Sequence, residues 1–180
     1  DIIVGGSDQM KNKAVALSSG SLNIPDSTDI LNQNGFALQT WLKLTNNGLT
    51  DKLIDKGSQL VVQRVGNKLQ IVVANVTKDI TGFEIPENTY FHISLVQNEP
   101  TSYTVYINGI KHLTLIDFPI AIKNKNTIVI KSSTTAFIDE LRIWKKILNE
   151  TEIANNYDRY ISGKEDGLKA YYRFDENINE

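Results

Sequence analysis

The sequence predicts an all-β fold: an antiparallel two-sheet β-sandwich with one short helix near the C-terminus. Three observations carry this. Short apolar-rich runs recur with turn signals about every 8–12 residues, the spacing of an all-β sandwich. Two of the breaks between runs, Gly66-Asn67 and Asn108-Gly109, are two-residue hairpin signals. No long period-3.6 segment interrupts the runs, which argues against a parallel α/β sheet.

In chain order, Ala14 to Leu17 and Ser21 to Ile24 read as short strands. Phe36 to Leu44 (FALQTWLKL) alternates. Phe36, Leu38, Thr40, Leu42 and Leu44 share one face; Ala37, Gln39, Trp41 and Lys43 take the other. Leu60 to Val65 and Lys68 to Val76 flank Gly66-Asn67, and Tyr90 to Gln97 follows. Tyr103 to Ile107 and Ile110 to Leu115 enclose Asn108-Gly109, whose residues both tolerate the positive φ of a type I′ turn. Thr127 to Lys131, Ala136 to Trp144 and Leu168 to Asp175 complete roughly a dozen strands. One helix is marked between the last two. Asn149 is its N-cap, and Glu152 the reciprocal partner of a capping box. Leu148 and Ile153 stand at the staple positions; Ile153, Tyr157 and Ile161 make one apolar face, and Gly163 supplies a stop. Residues 1–180 read as a single domain, with 1–12 and 177–180 as its flexible ends.

Composition narrows the function classes. Hydrophobic residues are 41% and charged residues 22% of 180, an ordinary globular balance. Net charge is -2 with dispersed Lys and Arg, so no basic footprint points to nucleic acid. No apolar run reaches the length of a membrane span. Cysteine is absent, which excludes disulfides, thiolate zinc sites and cysteine nucleophiles. Fifteen Lys against four Arg, with abundant Ile and Asn, points to an AT-rich bacterial source. The chain opens abruptly on Asp1, as a mature or excised piece of a larger, multidomain chain does.

Four blocks carry a family resemblance: VALSSGSLNIPDS (Val15 to Ser27), GFALQTWLKL (Gly35 to Leu44), NTYFHISLVQNEPTSYTVYINGIK (Asn88 to Lys111) and FIDELRIWKKILNETEI (Phe137 to Ile153). In that order they resemble the laminin-G-like jelly rolls of the concanavalin A-like lectin/glucanase superfamily. The resemblance implies a jelly roll that binds rather than catalyses, a secreted or cell-surface location, and calcium as the usual metal. Two departures stand out. The opening hairpin lacks a carboxylate at Ser18-Ser19-Gly20-Ser21. GLKAYYRFDE (Gly167 to Glu176) looks like the strand that commonly opens such a domain, yet it comes last. It either closes this sheet or begins another repeat, and closure is the expectation because a strand buries its apolar face only against neighbours.

The superfamily's hydrolases place two carboxylates on one strand face, and glycoside cleavage needs such a pair across the scissile bond. Here Asp139 and Glu140 are adjacent, so strict alternation sends them to opposite faces and removes them as a catalytic pair. The structural reading lets Asp139 accept backbone N–H groups and Glu140 pair with Arg142. The sharper reading makes Asp139 and Asp55 calcium ligands, though no EF-hand spacing supports it. His92 and His112 lack the third ligand of a zinc site, and Ser18, Ser19, Ser132 and Ser133 read as turn residues. Trp41 and Trp144 read as buried. Asn75-Val76-Thr77 and Asn149-Glu150-Thr151 fit the N-glycosylation pattern, the second overlapping the helix cap. The expectation is a non-catalytic recognition module for a glycan or a surface protein, adhesin-like, with a structural spacer as the alternative.

Overall fold

The computed structural model describes residues 14–17, 20–25, 31, 35–45, 49–121, 124–133 and 135–175. Its elements are β1 (Val15–Leu17), β2 (Ser21–Ile24), β3 (Phe36–Leu44), β4 (Thr50–Asp55), β5 (Val61–Val65), β6 (Lys68–Val73), β7 (Val76–Asp79), β8 (Phe91–Glu99), β9 (Ser102–Ile107), β10 (Ile110–Leu115), β11 (Ile128–Lys131), β12 (Ala136–Trp144), α1 (Glu150–Asn156) and β13 (Leu168–Tyr172). They form two antiparallel sheets. The larger runs β1-β12-β3-β8-β9-β10, with β13 also on β12; the smaller runs β2-β11-β4-β5-β6-β7.

The alternation of β3 is realised as expected. Phe36, Leu38, Leu42 and Leu44 line the core between the sheets, meeting Leu53, Val62, Leu69 and Ile71 of the smaller sheet. Each such side chain contributes about 1.5–3 kcal/mol by leaving water. The opposite face of β3 is buried too. Ala37, with Val96, Tyr106 and Trp144, packs under Leu148 and Ile153, so α1 adds a third layer outside the larger sheet. This cover explains why nearly every residue of β3 is shielded from solvent.

Two local expectations are corrected. The run Lys68 to Val76 is not one strand. It folds back at Ala74-Asn75, both at positive φ (47° and 66°), so that Val73 faces Val76. The helix is shorter than its apolar periodicity suggests: it ends at Asn156 with Tyr157 as C-cap, which leaves Ile161 beyond it and Gly163 unused as its stop. The capping box at Asn149 and Glu152 is present.

β13 closes the larger sheet, as expected. β3 holds one edge of β12 along its length. The other edge is therefore shared. β1 pairs Ala136 to Ile138, and β13 pairs Leu141 to Trp144. Both run antiparallel to β12, so β13 ends opposite Leu141 close to where β1 begins opposite Ile138. Between these two stretches β12 carries a bulge: Asp139 faces Trp41 and Arg142 faces Gln39, three steps against two. Glu140, at φ 51°, supplies the extra residue.

Candidate functional site

The bulge decides where the acidic pair points. Ile138, Leu141 and Ile143 all face the core. Their odd spacing means one residue has dropped out of alternation, and Asp139 and Glu140 both lie on the outer face. The expectation of opposite faces is thereby corrected. Neither acid is open to solvent, each at 0% exposure, because α1 and the chain that follows it cover this face.

Glu140 is the hub beneath that cover. Its Oε2 accepts from Arg142 at 2.6 Å, the pairing expected from the sequence, and from the Tyr171 hydroxyl at 2.6 Å. Arg173 stands 3.9 Å from Oε1. Arg142 in turn donates to the Asn156 carbonyl at 2.7 Å and to the Arg159 carbonyl. These carbonyls lie at and just past the end of α1, where backbone acceptors lack helical donors. These bonds meet part of the demand of a buried pair; Glu140 Oε1 and Arg142 Nε are buried without a hydrogen-bond partner among the described residues. Burial, then the bond to Glu140, pushes the Tyr171 hydroxyl well above its usual range.

Asp139 differs. Its Oδ1 accepts from the Glu140 amide at 2.9 Å, while its Oδ2 is buried without a hydrogen-bond partner among the described residues. Burial first, with the nearby Glu140 and Asp175 charges, pushes its carboxyl up to about 7, against the opposing pull of the Glu140 amide and Arg142. The same face holds a neutral polar chain. Trp144 Nε1 donates to Gln39 Oε1 at 2.9 Å, and Gln39 Nε2 donates to Ser94 at 3.1 Å. Trp41 Nε1 donates to the Tyr157 carbonyl at 3.1 Å, and His92 packs edge-on against Trp41. Burial holds His92 down to about 3, so it stays neutral. Both tryptophans are buried, as expected, but in this outer layer rather than between the sheets.

Asp55 lies on the smaller sheet. It accepts from the Gly57 amide at 2.8 Å and pairs with Lys52 at 3.4 Å. The two calcium candidates therefore sit on different sheets and form no common site. Calcium takes six to eight oxygens. Among the described residues no three His, Cys, Asp or Glu side chains gather to hold a metal. Asp139 also has the Arg142 charge nearby. Ser18 and Ser19 lie outside the described residues.

The sequence reading missed two arrangements. Asp51 binds Ser132 Oγ at 2.8 Å, the Ser133 amide at 2.9 Å and Arg64 at 3.2 Å, tying β4, β5 and the end of β11 together. Burial would raise this carboxyl, but the bonds from Ser133, Ser132 and Arg64 outweigh it and hold it below its usual range. The inward Asp51 and Arg64, flanking apolar positions of neighbouring strands, were the available signal. The second is a depression of about 250 Å³ on the outer face, floored by Gln39 and Trp144 and walled by Leu148, Glu152, Asn156 and Glu165. Apart from Gln39, its lining falls between Trp144 and Asp166, on the end of β12, on α1 and on the chain that follows, and no recognised motif marks it.

The family model described as the concanavalin A-like lectin/glucanases superfamily matches residues 17–154. The chain belongs to that superfamily. No curated protein matches it by sequence. Solved structures similar to this superfamily member include the binding domain of Paraclostridial Mosquitocidal Protein 1, with TM-score 0.66 and 18% identity over 80% of this chain and 42% of that one. The binding domain of botulinum neurotoxin DC in complex with rat synaptotagmin II gives 0.65 and 19%, covering 79% and 41%. A botulinum neurotoxin type C structure, described by its dependence on two ganglioside molecules for cell entry, gives 0.67 and 18% over 79% and 41%. The superfamily domain spans about two fifths of each of these chains.

Proposed function

We propose that this chain is a non-catalytic recognition module for a carbohydrate or protein ligand, part of a secreted or cell-surface bacterial protein of adhesin type. One observation carries the reading. The adjacent carboxylates that the fold places on one face, Asp139 and Glu140, are shut beneath the C-terminal segment, and Glu140 is bonded to Arg142 and Tyr171. A glycosidic bond reaches neither. The shared fold with toxin binding domains whose descriptions name gangliosides and synaptotagmin supports the same reading. No helix among the described residues is long and apolar enough to cross a membrane.

The test is a glycan array run beside a pull-down against cell-surface proteins, with the isolated chain as bait. Saturable binding in either screen is expected, and it survives Asp139→Asn. Incubation with laminarin and mixed polysaccharides releases no sugar. Two empty screens would favour a spacer domain, and hydrolysis lost on Asp139→Asn or Glu140→Gln would make the chain an enzyme.

A further inference from the structure

We propose that the uncovered end of the larger sheet's outer face, around Lys43, is a subsite for a carboxylate-bearing sugar. This rests on the reading of the chain as a binding module and supplies the ligand class. The cover formed by α1 and the chain after it reaches Trp41, whose indole N–H bonds the Tyr157 carbonyl. Lys43 is the next residue of β3 on the same face, and it is only partly buried. Register sets its neighbours. Phe137 of β12 lies opposite it, and Ala16 of β1 lies opposite Phe137. On the other side Phe91 pairs with Leu42, which brings Tyr90 beside Lys43. The inward Leu17, Leu42, Leu44, Phe91, Ala136 and Ile138 fix this row as outward-facing. Ala16 is exposed, and Phe137, Lys43 and Tyr90 are part-exposed, so a ligand reaches all four.

Lys43 Nζ stands 4.3 Å from the centre of the Phe137 ring and 5.1 Å from that of Tyr90. The two rings hold the ammonium by its charge. They are weak acceptors for its three N–H groups. Lys52, Lys111 and Lys146 each face a carboxylate; Lys43 faces none among the described residues. Asp139, opposite Trp41 in the next row, is closed at 0% exposure. A positioned ammonium with unused donors and no counter-ion suits an anionic acceptor. The rings select which anion. Their exposed edges on either side of the ammonium offer apolar contact to the C–H groups of a sugar. A sugar acid meets both demands at once. A neutral sugar meets the rings alone, an inorganic anion meets the ammonium alone, and an amino sugar is repelled.

The experiment is an amide-resolved NMR titration of the whole chain with glucuronate, glucose, glucosamine and inorganic sulfate. Shifts centred on Ala16, Lys43, Tyr90 and Phe137 are expected with glucuronate, weaker ones with glucose and sulfate, and none with glucosamine. Lys43→Gln weakens glucuronate binding about tenfold or more, as loss of one charged hydrogen bond does. Lys43→Arg keeps the charge and retains binding. Ala16→Glu, at an exposed position outside the core, sets a like charge at the rim and weakens glucuronate as well. No shift with glucuronate, shifts that fall elsewhere, shifts unchanged in both Lys43→Gln and Ala16→Glu, or an equal response to sulfate or glucosamine overturns the subsite. An array hit insensitive to both variants overturns the subsite while leaving the binding module standing; an empty array and pull-down remove the module itself.

Discussion

Glu140 holds a left-handed backbone conformation that β-strands rarely grant to residues other than glycine, and its surroundings explain why it is kept there. The turn of backbone brings its carboxylate beside Arg142 and Tyr171 under the C-terminal cover. Removing it strands the Arg142 guanidinium in a dry layer. Glu140→Ala is expected to lower stability by about 3–5 kcal/mol, read by urea unfolding. Asp139 gives a pH signature of opposite sense to ordinary carboxylates. Its folded value of about 7 lies above the ordinary 3.8, so the folded state binds the extra proton between them. Stability from this group is present in acid and is lost as pH rises through about 7, with a slope of at most about 1.4 kcal/mol per pH unit. Asp139→Asn removes that slope and raises stability at neutral pH; unfolding midpoints across pH measure it. The Glu140–Arg142 pairing was legible in the sequence because two-residue spacing keeps a common strand face. The shared face of Asp139 and Glu140 was not, since a bulge at a non-glycine residue leaves no mark in composition.

α1 illustrates what an element's local sequence can and cannot carry. The reciprocal cap at Asn149 and Glu152 is legible because both partners lie within one turn. The length is not. Arg142, from β12, takes the carbonyls of Asn156 and Arg159, and the chain turns there rather than continuing through Ile161. Seven residues are too few to hold a helix in water alone, so packing of Ile153 and Leu148 on the sheet stabilises it. Asn149→Ala is expected to cost about 1 kcal/mol in thermal or urea unfolding. The hairpin at Ala74-Asn75 escaped notice for a related reason. Ala74 at φ 47° lacks the glycine that usually announces such a turn, and the pairing of β6 with β7 overrides its preference.

For the whole molecule, the sandwich was legible from alternation and turn spacing, while the cover over the larger sheet was not. Polar Gln39 beside Ala37 on one strand face looks half-exposed until α1 and the following segment are seen to lie over them. The scattered aspartates have a bulk consequence as well. A ligand that binds only the folded form raises its melting midpoint. Because Asp139 and Asp55 sit apart, each with its own bonds, calcium and EDTA are expected to give the same midpoint by calorimetry. The shared edge of β12 carries a further consequence. Tyr172, where β13 stops, and Val15, where β1 starts, are collinear along β12 and roughly 10 Å apart, three strand residues. The order in which the strands are synthesised is then incidental to the shape. A circular permutant that joins Asp175 to Ala14 through a short Gly-Ser linker, with new ends opened between Gly66 and Asn67, is expected to fold cooperatively with the same far-UV circular dichroism.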